Sequence, residues 1–236
     1  MKRIVTTMLA VMAIAVAMAA PEGAKPVLSI LGDSYSTFYG YIPDGNESWY
    51  YDDGRNSNLT DVSDVRQTWW WQLISEGGYI LGVNESYSGA PISYTGYQQK
   101  DYTERAFITR LGRVVPSDVL LIFGGTNDSW IGGPLGEYEN DKLTLGHMFE
   151  FRPALDRLLV EAGNRFPGAR ILFIVNSDLR NEIVESIHRI CSKHEVEYID
   201  LKDIAKQNGH PTVEGMRQIK DQVLKRLMQK VDSKKL

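Results

Sequence analysis

The sequence predicts one three-layer α/β/α domain built on a parallel sheet, and three observations carry that expectation. Short, unalternating apolar runs recur along the chain, as in strands covered on both faces. Helix-period segments separate them, and strands alternating with helices specify a parallel sheet between two helical layers. The composition is that of an ordinary globular chain: 236 residues, 43% apolar, 24% charged, 9 Pro, 21 Gly and 1 Cys. Collagen-like, disulfide-scaffold and disordered classes are thereby excluded. The first expected strand is Pro26 to Leu31, stopping at Gly32. A second runs from Tyr79 to Val83 and a third from Val119 to Phe123, closed by Gly124-Gly125. The fourth and fifth are Ile171 to Val175 and Val196 to Leu201. Helices are expected over Arg66 to Glu76, Tyr102 to Leu111, Phe149 to Arg165 and Asn181 to His194. The final helix begins near Thr212, with Met216, Ile219, Val223 and Leu227 at spacings of three and four.

The N-terminus reads as a secretion signal over residues 1–19. Lys2 and Arg3 form a cationic start, an apolar run extends from Ile4 to Met18, and Ala17-Met18-Ala19 offers the small residues that a signal peptidase reads. The run is short for a bilayer span, which takes roughly 20 residues, so a retained anchor is the weaker reading. The expected mature chain is a single domain over 20–236, secreted or periplasmic, with no stable membrane span. No Cys lies near the cleavage point to take a lipid. Cys191 falls on a helical pattern with Ile187 and Ile190 and reads as a small core residue. The net charge is −4 and becomes two units more negative without Lys2 and Arg3. An acidic chain lacks the electrostatic footprint for nucleic acid or an anionic membrane.

Two stretches lack periodicity. Residues 36–65 hold Phe38, Tyr39, Tyr41, Trp49, Tyr50 and Tyr51 among many acids, with Arg55 as the lone base before Val65. Residues 129–145 hold Trp130, Gly132, Gly133 and Tyr138. Long loops in compact domains are commonly functional, and aromatic density argues against disorder. Both leave the carboxyl ends of strands, where open parallel sheets build their sites. The alternative is that these aromatics form a satellite core.

Four short blocks carry the chemistry. Gly32-Asp33-Ser34-Tyr35 follows the first strand, and Asn84-Glu85-Ser86-Tyr87-Ser88-Gly89 follows the second. Gly124-Gly125-Thr126-Asn127-Asp128 follows the third, and Gly209-His210-Pro211 precedes the last helix. Each sits at a strand's carboxyl end or in the connection to the final helix. A serine hydroxyl, a glycine N–H, an asparagine amide and a histidine can therefore converge on one spot. His147, His188 and His194 show no convincing metal-ligand spacing, so neither metal nor cofactor is expected.

These blocks, in this order, resemble the SGNH (GDSL-type) hydrolase family across nearly the whole mature chain. The resemblance implies a flavodoxin-like parallel five-stranded sheet and a serine ester hydrolase. It implies Ser34 as nucleophile and His210 as general base, with the Ser34 and Gly89 N–H groups and the Asn127 side chain forming the oxyanion hole. Such residue types suit the chemistry. A serine hydroxyl needs a base within hydrogen-bond reach, and imidazole titrates near neutrality. Fixed donors then stabilise charge developing on the carbonyl oxygen. An α/β-hydrolase elbow would want Gly-x-Ser-x-Gly, and Ser36 stands in its last position.

One departure stands out. The family pattern has an aspartate three residues before the histidine, and Gln207 occupies that place. Asp178, following the fourth strand, is the preferred replacement acid, and Asp203 is a second candidate. A Ser-His dyad, or loss of catalysis, are the remaining readings. The expected substrate is a short acyl ester, small or carried on a glycan. The alternatives are a lysophospholipase or thioesterase-type acylhydrolase and a non-catalytic glycan-binding protein on the same fold.

Overall fold

A computed structural model describes residues 23–139 and 142–229. The signal segment 1–19 and the lysines at 230, 234 and 235 lie outside the described residues. Five strands, β1 (Val27–Gly32), β2 (Ile80–Ser86), β3 (Val119–Gly124), β4 (Arg170–Val175) and β5 (Glu197–Asp200), form one sheet in the order β2-β1-β3-β4-β5. Every pairing within it is parallel. This is the three-layer α/β/α architecture that the element order predicts.

The inner strands show why the sheet is covered on both sides. Successive residues of a strand face opposite ways. Leu28 and Ile30 of β1, Val119, Leu121 and Phe123 of β3, and Leu172 and Ile174 of β4 join one buried cluster. That cluster also takes in α1 (Trp69–Gly77) and α6 (Val213–Met228) through Trp69, Leu73, Met216, Ile219 and Val223. Leu31, Leu120, Ile122, Phe173 and Val175 point the other way. They meet α2 (Phe107–Leu111), α4 (Phe151–Arg165) and α5 (Asn181–Lys193) through Phe107, Leu155, Leu158, Ile187 and Cys191.

The elements depart from expectation at several points. The helix expected over 102–111 keeps only its second half as α2. Asp101 Oδ1 accepts the Thr103 N–H at 2.8 Å, and Ala106 is extended, so the preceding residues turn instead. The helix expected from Arg66 splits into a 3-10 turn at Val65–Gln67, closed by a capping box from Asp64 and Gln67, and α1, capped by Thr68. Periodicity also missed α3 (Thr126–Ile131) and a two-stranded hairpin of β6 (Lys206–Gln207) and β7 (His210–Pro211). Among the described residues, no helix is long and apolar enough to cross a membrane.

Candidate active site

β1 lies between β2 and β3, and consecutive connections leave it towards opposite halves of the sheet. Such a switch point opens a crevice at the carboxyl ends of the strands. Ser34 stands there, two residues past the end of β1, in the 3-10 turn Ser34–Ser36. Asp33 caps that turn by accepting the Tyr35 N–H at 3.0 Å. The other Asp33 oxygen is buried without a partner, and burial pushes the carboxyl pKa up to about 7. Thr37 closes the turn, donating to the Ser34 carbonyl from both its N–H and its hydroxyl.

His210 comes from the other end of the chain. Gln207 and His210 pair across the β6–β7 ladder, and the two residues between them, Asn208 (φ 50°) and Gly209 (φ 77°), are both left-handed. That is a type I′ turn, and Asn-Gly is its preferred dipeptide. The hairpin is clamped: Tyr35 donates its hydroxyl to the Gly209 carbonyl, Tyr50 donates to Pro211 O at 3.0 Å, and Asn208 Nδ2 donates to Leu59 O at 3.0 Å. The imidazole so held lies with Nε2 2.9 Å from Ser34 Oγ. Its Nδ1 faces the Asn208 carbonyl oxygen at 3.2 Å. With Nδ1 protonated and donating to that carbonyl, Nε2 is the acceptor for the serine proton.

Asp178 is not brought to His210. It takes a left-handed conformation (φ 65°) after β4, and its side chain is 81% exposed. Its carboxylate pairs with Lys206 Nζ at 3.1 Å, which holds its pKa below the usual carboxylate range. Lys206 also donates to Asn176 Oδ1, Ser177 O and Ser177 Oγ, fixing β6 to the end of β4. The local reason is clear: the hairpin puts Lys206, not His210, opposite residues 176–178. Neither the Asp203 nor the Gln207 side chain hydrogen-bonds to the His210 ring, and Gln207 is exposed. Among the described residues no carboxylate pairs with the imidazole. Burial pushes the His210 pKa down to about 4, and the Lys206 charge acts in the same direction.

The donor side is assembled from β2 and β3. Asn127 sits in the first turn of α3; its Oδ1 accepts from the Tyr97 hydroxyl at 2.9 Å, and its Nδ2 donates to Ala90 O at 3.0 Å. These contacts fix the amide and leave a second Nδ2 hydrogen uncommitted. Gly89 has φ 75°, a conformation that glycine adopts without strain. Among the described residues, the Gly89 and Ser34 N–H groups donate to no backbone carbonyl in turns, loops or caps. Asp128 locks the two donor-bearing loops together, accepting from the Ile92 N–H, the Ser93 N–H and the Ser93 hydroxyl at 2.8 to 3.1 Å.

The 36–65 segment divides between the two roles considered for it. Phe38 and Tyr50 are buried in the core under the loop. Trp49 does something sequence reasoning missed: its indole stacks on the His210 ring, centroids 3.7 Å apart and planes within 7°. Trp130 of α3 meets the same ring edge-on at 5.7 Å, and Tyr35 lies tilted at 5.3 Å.

The fold and this arrangement define a serine hydrolase-type site, and the sequence agrees: the profile of the GDSL-like lipase/acylhydrolase family matches residues 26–227. The chain belongs to that family. It is similar to a GDSL-like lipase of Bacteroides ovatus, at 46% identity and TM-score 0.84, covering 86% of this chain and 98% of that one. A GDSL-like lipase of Bacteroides uniformis is 44% identical with TM-score 0.83, over 87% and 96% of the two chains. An acetyl xylan esterase of Butyrivibrio proteoclasticus shares the fold at 13% identity and TM-score 0.54, over 86% and 63%. A comparison with curated proteins finds no significant match.

Proposed function

We propose that this protein hydrolyses short acyl esters through Ser34 and His210. The observation that carries the reading is the 2.9 Å contact between His210 Nε2 and Ser34 Oγ. Ser34 Oγ attacks the ester carbonyl carbon as its proton passes to His210 Nε2. The carbonyl electron pair moves onto oxygen, where the Ser34 and Gly89 N–H groups and Asn127 Nδ2 receive it. Collapse expels the alcohol, which takes the proton back from Nε2. Water, deprotonated by the same nitrogen, then attacks the acyl-enzyme, and Ser34 leaves reprotonated.

The reading extends to an O-acyl group on carbohydrate. Trp49, Trp130 and Tyr97 border the site with aromatic faces, which suit sugar rings, and supply little aliphatic lining for a long acyl tail. The leader pattern of residues 1–19 further suggests a mature chain outside the cytoplasm. The lack of a carboxylate on the Nδ1 side of His210, which meets only the neutral Asn208 carbonyl, favours a second reading, a non-catalytic glycan binder.

A panel of p-nitrophenyl esters and acetylated glycans tests both. Turnover of acetyl esters, falling as the acyl chain lengthens and abolished in a folded Ser34→Ala variant, is expected. Binding of glycans without turnover would establish the second reading in its place.

A further inference from the structure

The imidazolium formed during turnover needs a counterpart to its charge, and the usual one is absent from its contacts. In a triad the buried carboxylate stabilises that cation. Here Nδ1 has a neutral carbonyl, Asn208 O. The charged group whose field reaches the ring is Lys206 of β6, with the wrong sign, although its pairing with Asp178 moderates it. The 34–36 turn presents Ser34 and the Tyr35 ring, the 36–65 segment presents the Trp49 indole, and α3 presents the Trp130 edge.

We propose that Trp49, as a positioning residue, stands in for the missing carboxylate by stacking face-on against His210 and stabilising its protonated ring. The negative face of an indole attracts a cation within about 6 Å, most strongly where water is excluded. The 3.7 Å parallel stack is well inside that range. The contact also fixes the ring plane, which a single hydrogen bond at Nδ1 leaves free to rock. Trp49 is itself held through its backbone: its amide N–H donates to Thr37 Oγ1 at 2.9 Å, and its carbonyl accepts from Asn56 Nδ2 at 2.8 Å. Thr37 in turn closes the Ser34 turn. The long aromatic segment thus has a catalytic purpose beyond covering the core. This inference rests on the ester hydrolase reading.

Substituting Trp49 by a small residue would also admit water, which raises the His210 pKa and confounds the sign. Tryptophans carrying one to four fluorines, introduced at position 49 alone, keep shape and burial while draining the ring face of charge. The full-length mature chain is assayed with p-nitrophenyl acetate, and the His210 pKa is followed by NMR of labelled histidine. We expect kcat to fall stepwise, roughly three- to tenfold across the series, with KM unchanged and the His210 pKa falling in step. The same residues at Trp70, a buried indole away from His210, should leave both unchanged. A flat kcat in active enzyme, or a His210 pKa that does not move, overturns the proposal. Should the protein hydrolyse no ester, the NMR titration alone decides the ring contact, so failure of the function reading stays distinct.

Discussion

His210 is the residue on which the account turns, and two consequences follow from its surroundings. Its base form is neutral, and burial pushes the pKa down from the ordinary 6.5 to about 4. The active species therefore persists as pH falls through 6 and 5, and is lost as protons bind near 4. A kcat/KM profile with its acid limb well below 6.5 is expected; a limb at 6.5 or above would show the ring to be better solvated or carboxylate-paired in solution. The second consequence concerns the acid. Removing a triad carboxylate while keeping its shape costs roughly 10⁴ in kcat. Asp178 faces Lys206 and Gln207 faces solvent, so Asp178→Asn and Gln207→Ala should each change kcat by less than about threefold. A loss of a hundredfold or more in Asp178→Asn would mean that the carboxylate swings to His210 during turnover.

At the scale of elements, the β6–β7 hairpin does most to make the site. Asn208 and Gly209 let the chain reverse in two residues, which aims the Asn208 carbonyl at Nδ1 and hands His210 to the crevice. A Cβ at Gly209 would sit in a left-handed conformation and touch the Trp130 ring at 3.4 Å. A non-glycine residue there costs about 1–2 kcal/mol. Gly209→Ala should lower the melting temperature by roughly 2–8 °C and reduce kcat more than it raises KM, checked by calorimetry and steady-state assays. Unchanged kcat would mean that the turn does not set the imidazole. The Asn-Gly dipeptide was readable as a hairpin signal, but strands of two residues carry no periodicity to flag them. Without the hairpin, Asp178 looks like a neighbour of His210; with it, Lys206 fills that place. Trp49 was equally beyond reach, because nothing local ties it to a ring 161 positions away. The inner strands β3 and β4, by contrast, were legible because their apolar runs face two buried layers, while the partly exposed edge strands β2 and β5 were picked out by shorter apolar stretches.

Across the whole molecule, the site depends on three loops being held in register at the β1–β3 switch point. Arg110 helps to do this from within the core: its guanidinium donates to Gly32 O at 3.0 Å and to the Glu85 and Arg105 carbonyls. Burial pushes its pKa down to about 10, so it remains a cation at neutral pH. It joins the ends of β1 and β2, just before Ser34 and Gly89. Asp128 joins the β2 and β3 loops in the same manner. Such fixed donors are what electrostatic stabilisation of an oxyanion requires. The motif blocks were thus enough to expect Ser34 and His210 to meet, whereas the Trp49 stack, the Asp178–Lys206 pair and the braces between the loops depend on long-range contacts. The most direct test of the central claim is covalent labelling of the folded chain by a serine-reactive fluorophosphonate, mapped by mass spectrometry. A single stoichiometric adduct on Ser34 is expected, absent in Ser34→Ala and formed far more slowly in His210→Ala. A folded protein whose Ser34 stays unmodified, or labels equally fast without His210, would contradict it.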